Sequence, residues 1–138
     1  MRRRLGALAL LAAVCASGAQ FATFGDVEVH YIVVNTMELL PEIARHYGIE
    51  RGRDRAIVNV SIVGPDGMPR DGDVSGTATN LLDQAIPLEF RRIEDGGAVY
   101  FIAPLVYTDR DVLRFKIRID DRRGTSGTLE FQQEMWVE

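Results

Sequence analysis

Asp111-Val112-Leu113-Arg114-Phe115-Lys116-Ile117-Arg118-Ile119-Asp120 decides the fold class. Leu113, Phe115, Ile117 and Ile119 alternate with Arg114, Lys116 and Arg118. A period of two puts every apolar side chain on one face of an extended chain and every cation on the other. A helix would scatter both sets around its axis. The segment reads as a strand with one face on a core and the other in water.

The same period continues in both directions. Downstream, Arg122-Arg123-Gly124-Thr125-Ser126-Gly127 is a turn that leads into a strand over residues 128–137. A hairpin centred on Gly124 predicts Arg118 opposite Glu130 and Arg114 opposite Glu134. Such cross-strand pairs contribute about 0.2–1 kcal/mol each. Upstream, residues 98–106 are apolar on both faces and read as a central strand. Pro104 within it predicts a bulge or an exit from the sheet. Asp95-Gly96-Gly97 joins it to a strand over residues 86–93. Further strands are expected over residues 24–34, 55–63 and 73–82, the last weakened by Gly76 and its threonines.

One short helix, residues 41–47, interrupts the strands after the first. Pro41 needs no N–H at the first helical position. Glu42 and His46 suit the two ends of the dipole, and Gly48 is a natural stop. About seven short strands and one helix make an all-β chain: an immunoglobulin-like antiparallel β-sandwich, with a small closed barrel as the alternative.

The first residues follow another logic. Arg2, Arg3 and Arg4 precede an uncharged apolar run from Leu5 to Ala16, and Ser17, Gly18 and Ala19 are small. This is the layout of a secretory signal peptide. The run is shorter than the about 20 residues that span a bilayer. Cleavage after Ala19 is expected, with Gly18 the near alternative. That leaves residues 20–138 as a single domain in the periplasm. Lipidation at Cys15 is the competing reading, but Val14 before it suits that chemistry poorly. Cleavage also removes three arginines from a chain whose formal net charge is already −4. An acidic domain argues against a nucleic-acid partner, which needs a basic footprint. The lone cysteine leaves with the leader, so a core without disulfides must hold the domain.

Several strings then stand together: Thr23-Phe24-Gly25-Asp26-Val27-Glu28-Val29-His30-Tyr31, Arg55-Ala56-Ile57-Val58-Asn59-Val60-Ser61, Val74-Ser75-Gly76-Thr77-Ala78-Thr79-Asn80-Leu81-Leu82, Pro87-Leu88-Glu89-Phe90-Arg91 and Tyr100-Phe101-Ile102-Ala103-Pro104. In this order they resemble a family of small exported proteins of Gram-negative bacteria, domain of unknown function 4426. The resemblance covers essentially the whole mature chain. It implies a periplasmic β-sandwich and carries no activity, cofactor or catalytic residue with it.

Chemistry is sparse. His30, His46, Met37, Met68 and Met135 are the borderline or soft ligands, and their spacing matches no metal motif. Asp66, Asp71 and Asp73 share a loop without calcium-loop spacing. Ser61, Ser75 and Ser126 lack a nucleophile context. Glu28, Glu89 and Glu130 are acids from which no catalytic pair stands out. Arg114, Lys116 and Arg118 form a basic row whose expected partners are glutamates. No catalytic residue, metal or cofactor is therefore assigned.

The string Ser75-Gly76-Thr77-Ala78-Thr79-Asn80 stands apart, because small polar residues bury little apolar area in a strand. It reads either as a place where a ligand or partner backbone approaches, or as a bulge where two layers meet. Thr77, Thr79 and Asn80, with His30, are the expected contacts to a protein or small-molecule partner in the cell envelope. The expected function is a non-enzymatic binding or accessory module. A carboxylate-dependent hydrolase or carbohydrate-active enzyme, and a structural envelope protein, are the alternatives.

Overall fold

The computed structural model describes residues 20–137, and the expected leader with Cys15 lies outside them. Ten strands form: β1 (Gln20–Phe24), β2 (Val27–Asn35), β3 (Arg55–Val63), β4 (Pro69–Arg70), β5 (Asp73–Thr79), β6 (Ala85–Leu88), β7 (Arg91–Asp95), β8 (Ala98–Val106), β9 (Val112–Asp120) and β10 (Ser126–Glu134). A 3-10 turn, Thr36–Glu38, and one helix, α1 (Pro41–His46), link β2 to β3. Sheet one runs β1-β2-β3-β8-β7, with β4 paired to β3; sheet two runs β10-β9-β5-β6. All pairings are antiparallel.

The pleat fills the space between the sheets. Val27, Val29 and Val33 of β2 meet Leu113, Phe115, Ile117 and Ile119 of β9, with Val58 and Val60 of β3 and Phe101 and Leu105 of β8. Phe131 lies with its centroid 4.7 Å from Phe115 and 4.5 Å from Tyr31, joining the two layers through three rings. Such contacts add to the burial term, itself about 25 cal/mol per Å² of apolar area.

A second core explains why β3 and β8 are apolar on both faces. Ile57 and Ile102, on the outer side of sheet one, pack with Val34, Leu39, Ala44 and Tyr47. The β2–β3 connection is thus a lid on sheet one. Helix α1 starts at Pro41 with its first-turn Glu42 and ends at His46, where Gly48 takes a φ of +67°. A residue with a Cβ is strained at that φ.

The antiparallel sandwich is as expected, and the strand count is higher for three reasons. The first run is a hairpin: Gly25, at φ +60°, turns β1 into β2. The expected strand over residues 86–93 is two strands. β6 ends at Leu88 in sheet two, the chain crosses at Glu89 and Phe90, and β7 starts at Arg91 in sheet one. The third reason is β4, two residues beyond the reach of periodicity.

Two local expectations need correction. Pro104 makes no bulge, since the β3–β8 register runs unbroken from Arg55↔Val106 to Val60↔Phe101. Tyr107 N–H donates to the Asp54 carbonyl at 3.0 Å. By the alternation of an antiparallel ladder, Pro104 then faces away from β3. On that side β7 reaches only Ile102, so no donor is missed. The β9–β10 register is shifted by two: Thr128 lies opposite Arg118, Glu130 opposite Lys116 and Gln132 opposite Arg114.

Candidate functional site

A cleft of about 500 Å³ opens at the edge of sheet one, at the gap left where β7 stops, lined by Ile57 and Ile102 of the outer core and by Ala56, Leu105 and Phe90 of the inter-sheet core. Its volume is within the range of small-molecule sites, about 300–1,000 Å³. Ile57 and Ile102, which pack together on the outer face, form its apolar base, and Ile49, Phe90 and Pro104 also line it. Charged residues ring it: Glu50, Arg55, Glu89 and Arg91. An apolar base with a few polar groups is the usual composition of a ligand pocket.

One wall is the segment that follows α1, and it is pinned by Thr36. The Thr36 hydroxyl is fully buried. It accepts from Gly52 N–H at 2.9 Å, and its single proton is shared between the Gly52 and Arg55 carbonyls, each at 3.0 Å. Arg51 adds bonds to the Thr36 and Met37 carbonyls. Tyr47 ties the same wall to β7 twice. Its carbonyl accepts from Arg91, and its hydroxyl donates to the buried Asp95 carboxylate at 3.0 Å. Burial, then the bond to Asp95, pushes the Tyr47 phenol well above its ordinary range. His46 stands 3.6 Å from the same carboxylate.

Two glycines make room for the cleft's cations. A Cβ on Gly52 would stand 2.8 Å from Arg55 Cδ, and one on Gly48 would stand 3.2 Å from an Arg91 guanidinium nitrogen. Gly52 has no left-handed φ, so its requirement is space. Arg55 also meets Glu50 at 3.5 Å.

The residues singled out in the sequence lie elsewhere. Thr77 and Thr79 are on the outer face of sheet two, since Ala78 between them is in the core. They flank a shallow depression with Arg114, Lys116, Glu130 and Gln132. Asn80 follows in the β5–β6 turn. Its side-chain oxygen accepts from Leu82 and Gln84 N–H, and its amide donates to Gln84 Oε1. His30 is on β2 of sheet one, bonded to Glu28 at 3.0 Å and stacked on Phe21. It does not line the depression at Thr77. Gly76 is explained by close packing: a Cβ there would stand 2.5 Å from the Lys116 carbonyl oxygen.

The loop aspartates are engaged within the protein. Asp71 bonds Arg92 at 2.9 Å, Asp73 bonds Arg122 at 2.6 Å, and Asp66 accepts from Met68 N–H. Among the described residues no group of three or more His, Cys, Asp or Glu side chains is placed to hold a metal ion. No helix among them is long and apolar enough to cross a membrane.

The cleft residues come from four separated segments, which is why periodicity passes over them. One trace was present: Gly48-Ile49-Glu50-Arg51-Gly52-Arg53-Asp54-Arg55 is charged, aperiodic and carries two glycines between a helix and a strand.

Known proteins place the architecture. The crystal structure of a DUF4426 family protein from Pseudomonas aeruginosa PAO1 is similar, with 34% identity and a TM-score of 0.80, over 88% of this chain and 98% of that one. Two structures of FetP from uropathogenic Escherichia coli strain F11 are similar in fold alone. One is a copper-bound variant, with 11% identity and a TM-score of 0.59 over 86% of this chain and 95% of that one. The other is the protein as isolated, with 10% identity and a TM-score of 0.59 over 86% and 94%. No curated protein matches the sequence. Residues 21–138 match the family described as Domain of unknown function (DUF4426), and with the similarity to the Pseudomonas protein this places the chain in that family.

Proposed function

We propose that the chain is an exported, non-enzymatic binding module whose ligand sits in the cleft on sheet one. The observation that carries the reading is the cleft itself: an apolar base between a pinned wall and the β6–β7 crossing, with arginines held at its rim. A carboxylate hydrolase needs two acids facing one another across a pocket. The two acids at the rim are Glu50, which meets Arg55 at 3.5 Å, and Glu89, at the crossing between the sheets.

Export rests on the arginine-led, apolar, small-residue N-terminus. Recovery of the protein from a periplasmic extract, followed by N-terminal sequencing, tests it. A first residue at Gln20 or Ala19 supports the reading, and Met1 overturns it.

Copper, reported for the FetP variant, does not fit the residues of this chain. The only histidines are His30 and His46, each beside one carboxylate, Glu28 and Asp95 respectively. No third His, Cys, Asp or Glu side chain joins either pair among the described residues.

A second reading places partner contact on the outer face of sheet two, at Thr77 and Thr79 beside the basic row. Its support is that Arg114 and Arg118 face Gln132 and Thr128 in the register, leaving their charge available. Asn80 contributes least to it, because its amide is engaged in the turn. Nuclear magnetic resonance with labelled protein and a set of small organic fragments separates the readings. Shifts gathered at Ile49, Ile57, Phe90 and Ile102 support the cleft. Shifts gathered at Thr77 and Thr79 overturn it in favour of sheet two.

A further inference from the structure

We infer that the cleft selects a small molecule with an apolar body and one carboxylate. The inference rests on reading the cleft as the ligand site, and it goes further by naming the ligand's chemistry.

The rim holds two cations and two anions, so formal charge alone decides nothing. Their anchoring differs. Arg91 is exposed but anchored at its tip: its guanidinium donates to the Tyr47 carbonyl and lies against Gly48, where no Cβ intervenes. Tyr47 is in turn fixed by Asp95. Arg55 lies along Gly52, whose backbone is bonded to the buried Thr36 hydroxyl. Arg91 is therefore bonded to the wall before a ligand arrives, and Arg55 lies against it. Glu50 is largely in solvent, with one 3.5 Å contact to Arg55. Glu89 is also exposed, at the crossing between the sheets.

Preorganisation turns this difference into selectivity. An ordered group loses little entropy on binding, whereas a mobile glutamate must be immobilised first. Arg91 has five N–H donors and one bond to Tyr47, so a planar fork remains for a carboxylate. A charge-assisted pair of this kind is stronger than a neutral one. The apolar body then covers Ile57, Ile102 and Phe90, which a small inorganic anion would leave unused.

The test compares three probes that share one chain length: octanoate, octanol and octylammonium, titrated calorimetrically into the intact domain at low salt. Octanoate is expected to bind at least about tenfold more tightly than octanol, as a hydrogen bond to a charged group implies. Arg91→Gln is expected to remove that preference while octanol binding persists. Equal affinity for octanoate and octanol would sink the carboxylate inference and leave the cleft reading standing. A preference for octylammonium would do the same and assign control to Glu89. No binding of any of the three would sink both. The comparison on the unaltered protein stands alone if Arg91→Gln does not fold. Gly52→Ala is the second variant, expected to displace Arg55 and weaken octanoate binding about threefold or more.

Discussion

Arg70 of sheet one and Asp121 at the end of sheet two meet at 2.9 Å, with side chains 14% and 1% exposed. Asp121 uses both oxygens. One accepts from Arg70, and the other accepts from Arg123 N–H at 2.8 Å and Thr125 N–H at 2.9 Å. The same carboxylate therefore builds the β9–β10 turn and bridges the sheets. Gly64 belongs to the arrangement, since a Cβ there would collide with the Arg70 guanidinium.

Asp121→Asn removes the charge while keeping the shape, and it strands a mostly buried guanidinium. Breaking a buried pair from one side costs about 3–5 kcal/mol. The residual exposure of Arg70 places the expected loss at the lower end. Urea denaturation of the wild type and the variant measures it, and a loss under about 1 kcal/mol would contradict the account. The pH dependence has a definite sign. Burial pushes Asp121 up, but the two backbone N–H groups and Arg70 together outweigh it and hold the carboxyl below its ordinary 3.8. A depressed acid stabilises the folded state above the unfolded value, and that contribution is lost as pH falls below it. Asp121→Asn should therefore flatten the stability profile below about pH 4.

Tyr47 gives the opposite slope. Its phenol is raised by burial and then by the bond to Asp95, so the folded state holds the proton more tightly than the unfolded chain. The stabilisation is fully present below the ordinary value of 10.0 and is lost as pH rises above it. Tyr47→Phe is expected to cost about 1–3 kcal/mol at neutral pH, because Asp95 stays buried without its hydroxyl donor. The variant should also unfold less steeply with pH above 10. Thermal unfolding at a series of alkaline pH values compares the two, and coincident profiles would sink the assignment.

Strand existence was legible because alternation is a property of single segments. β3 and β8 fall where their apolar runs fall, and α1 sits at Pro41. What failed involves two segments at once. Ile86, Leu88 and Phe90 keep one period through a break, because the residues on each side of the crossing face the same interior from different sheets. The expected hairpin register was centred on Gly124, whereas the turn is set by Asp121 accepting N–H bonds within it. The cleft lies further out of reach, since Arg55 and Arg91 become its rim through glycines that show no pattern of their own.

The corrected register makes an inexpensive check. Lys116 and Glu130 face each other with nitrogen and oxygen 3.9 Å apart, both 69% exposed. Surface pairs of this kind contribute about 0–1 kcal/mol. A double-mutant cycle on Lys116→Ala and Glu130→Ala should give a small favourable coupling, of about 0.5 kcal/mol, that fades in high salt. A cycle on Arg118 and Glu130 should give none. Coupling in the second cycle instead of the first would reinstate the register centred on Gly124.

Asn59 gives the sharpest reversal of the usual effect of mutation. It is 5% exposed on β3, between Ile32 of β2 and Ile102 of β8, and its side-chain oxygen has no hydrogen-bond partner among the described residues. An unpaired buried carbonyl costs about 1–3 kcal/mol relative to a satisfied one. Valine suits a strand and is apolar, so Asn59→Val removes the unpaired oxygen and extends the contact between the two isoleucines. Valine is slightly larger, and fitting it beside the two isoleucines offsets part of the gain. The expected outcome is a rise of about 1 kcal/mol in unfolding free energy, where most core substitutions lower it. Chemical denaturation with an unchanged slope would confirm that the effect is on stability. A destabilised variant would overturn the reading of Asn59 as an unpaired polar group in the outer core of sheet one.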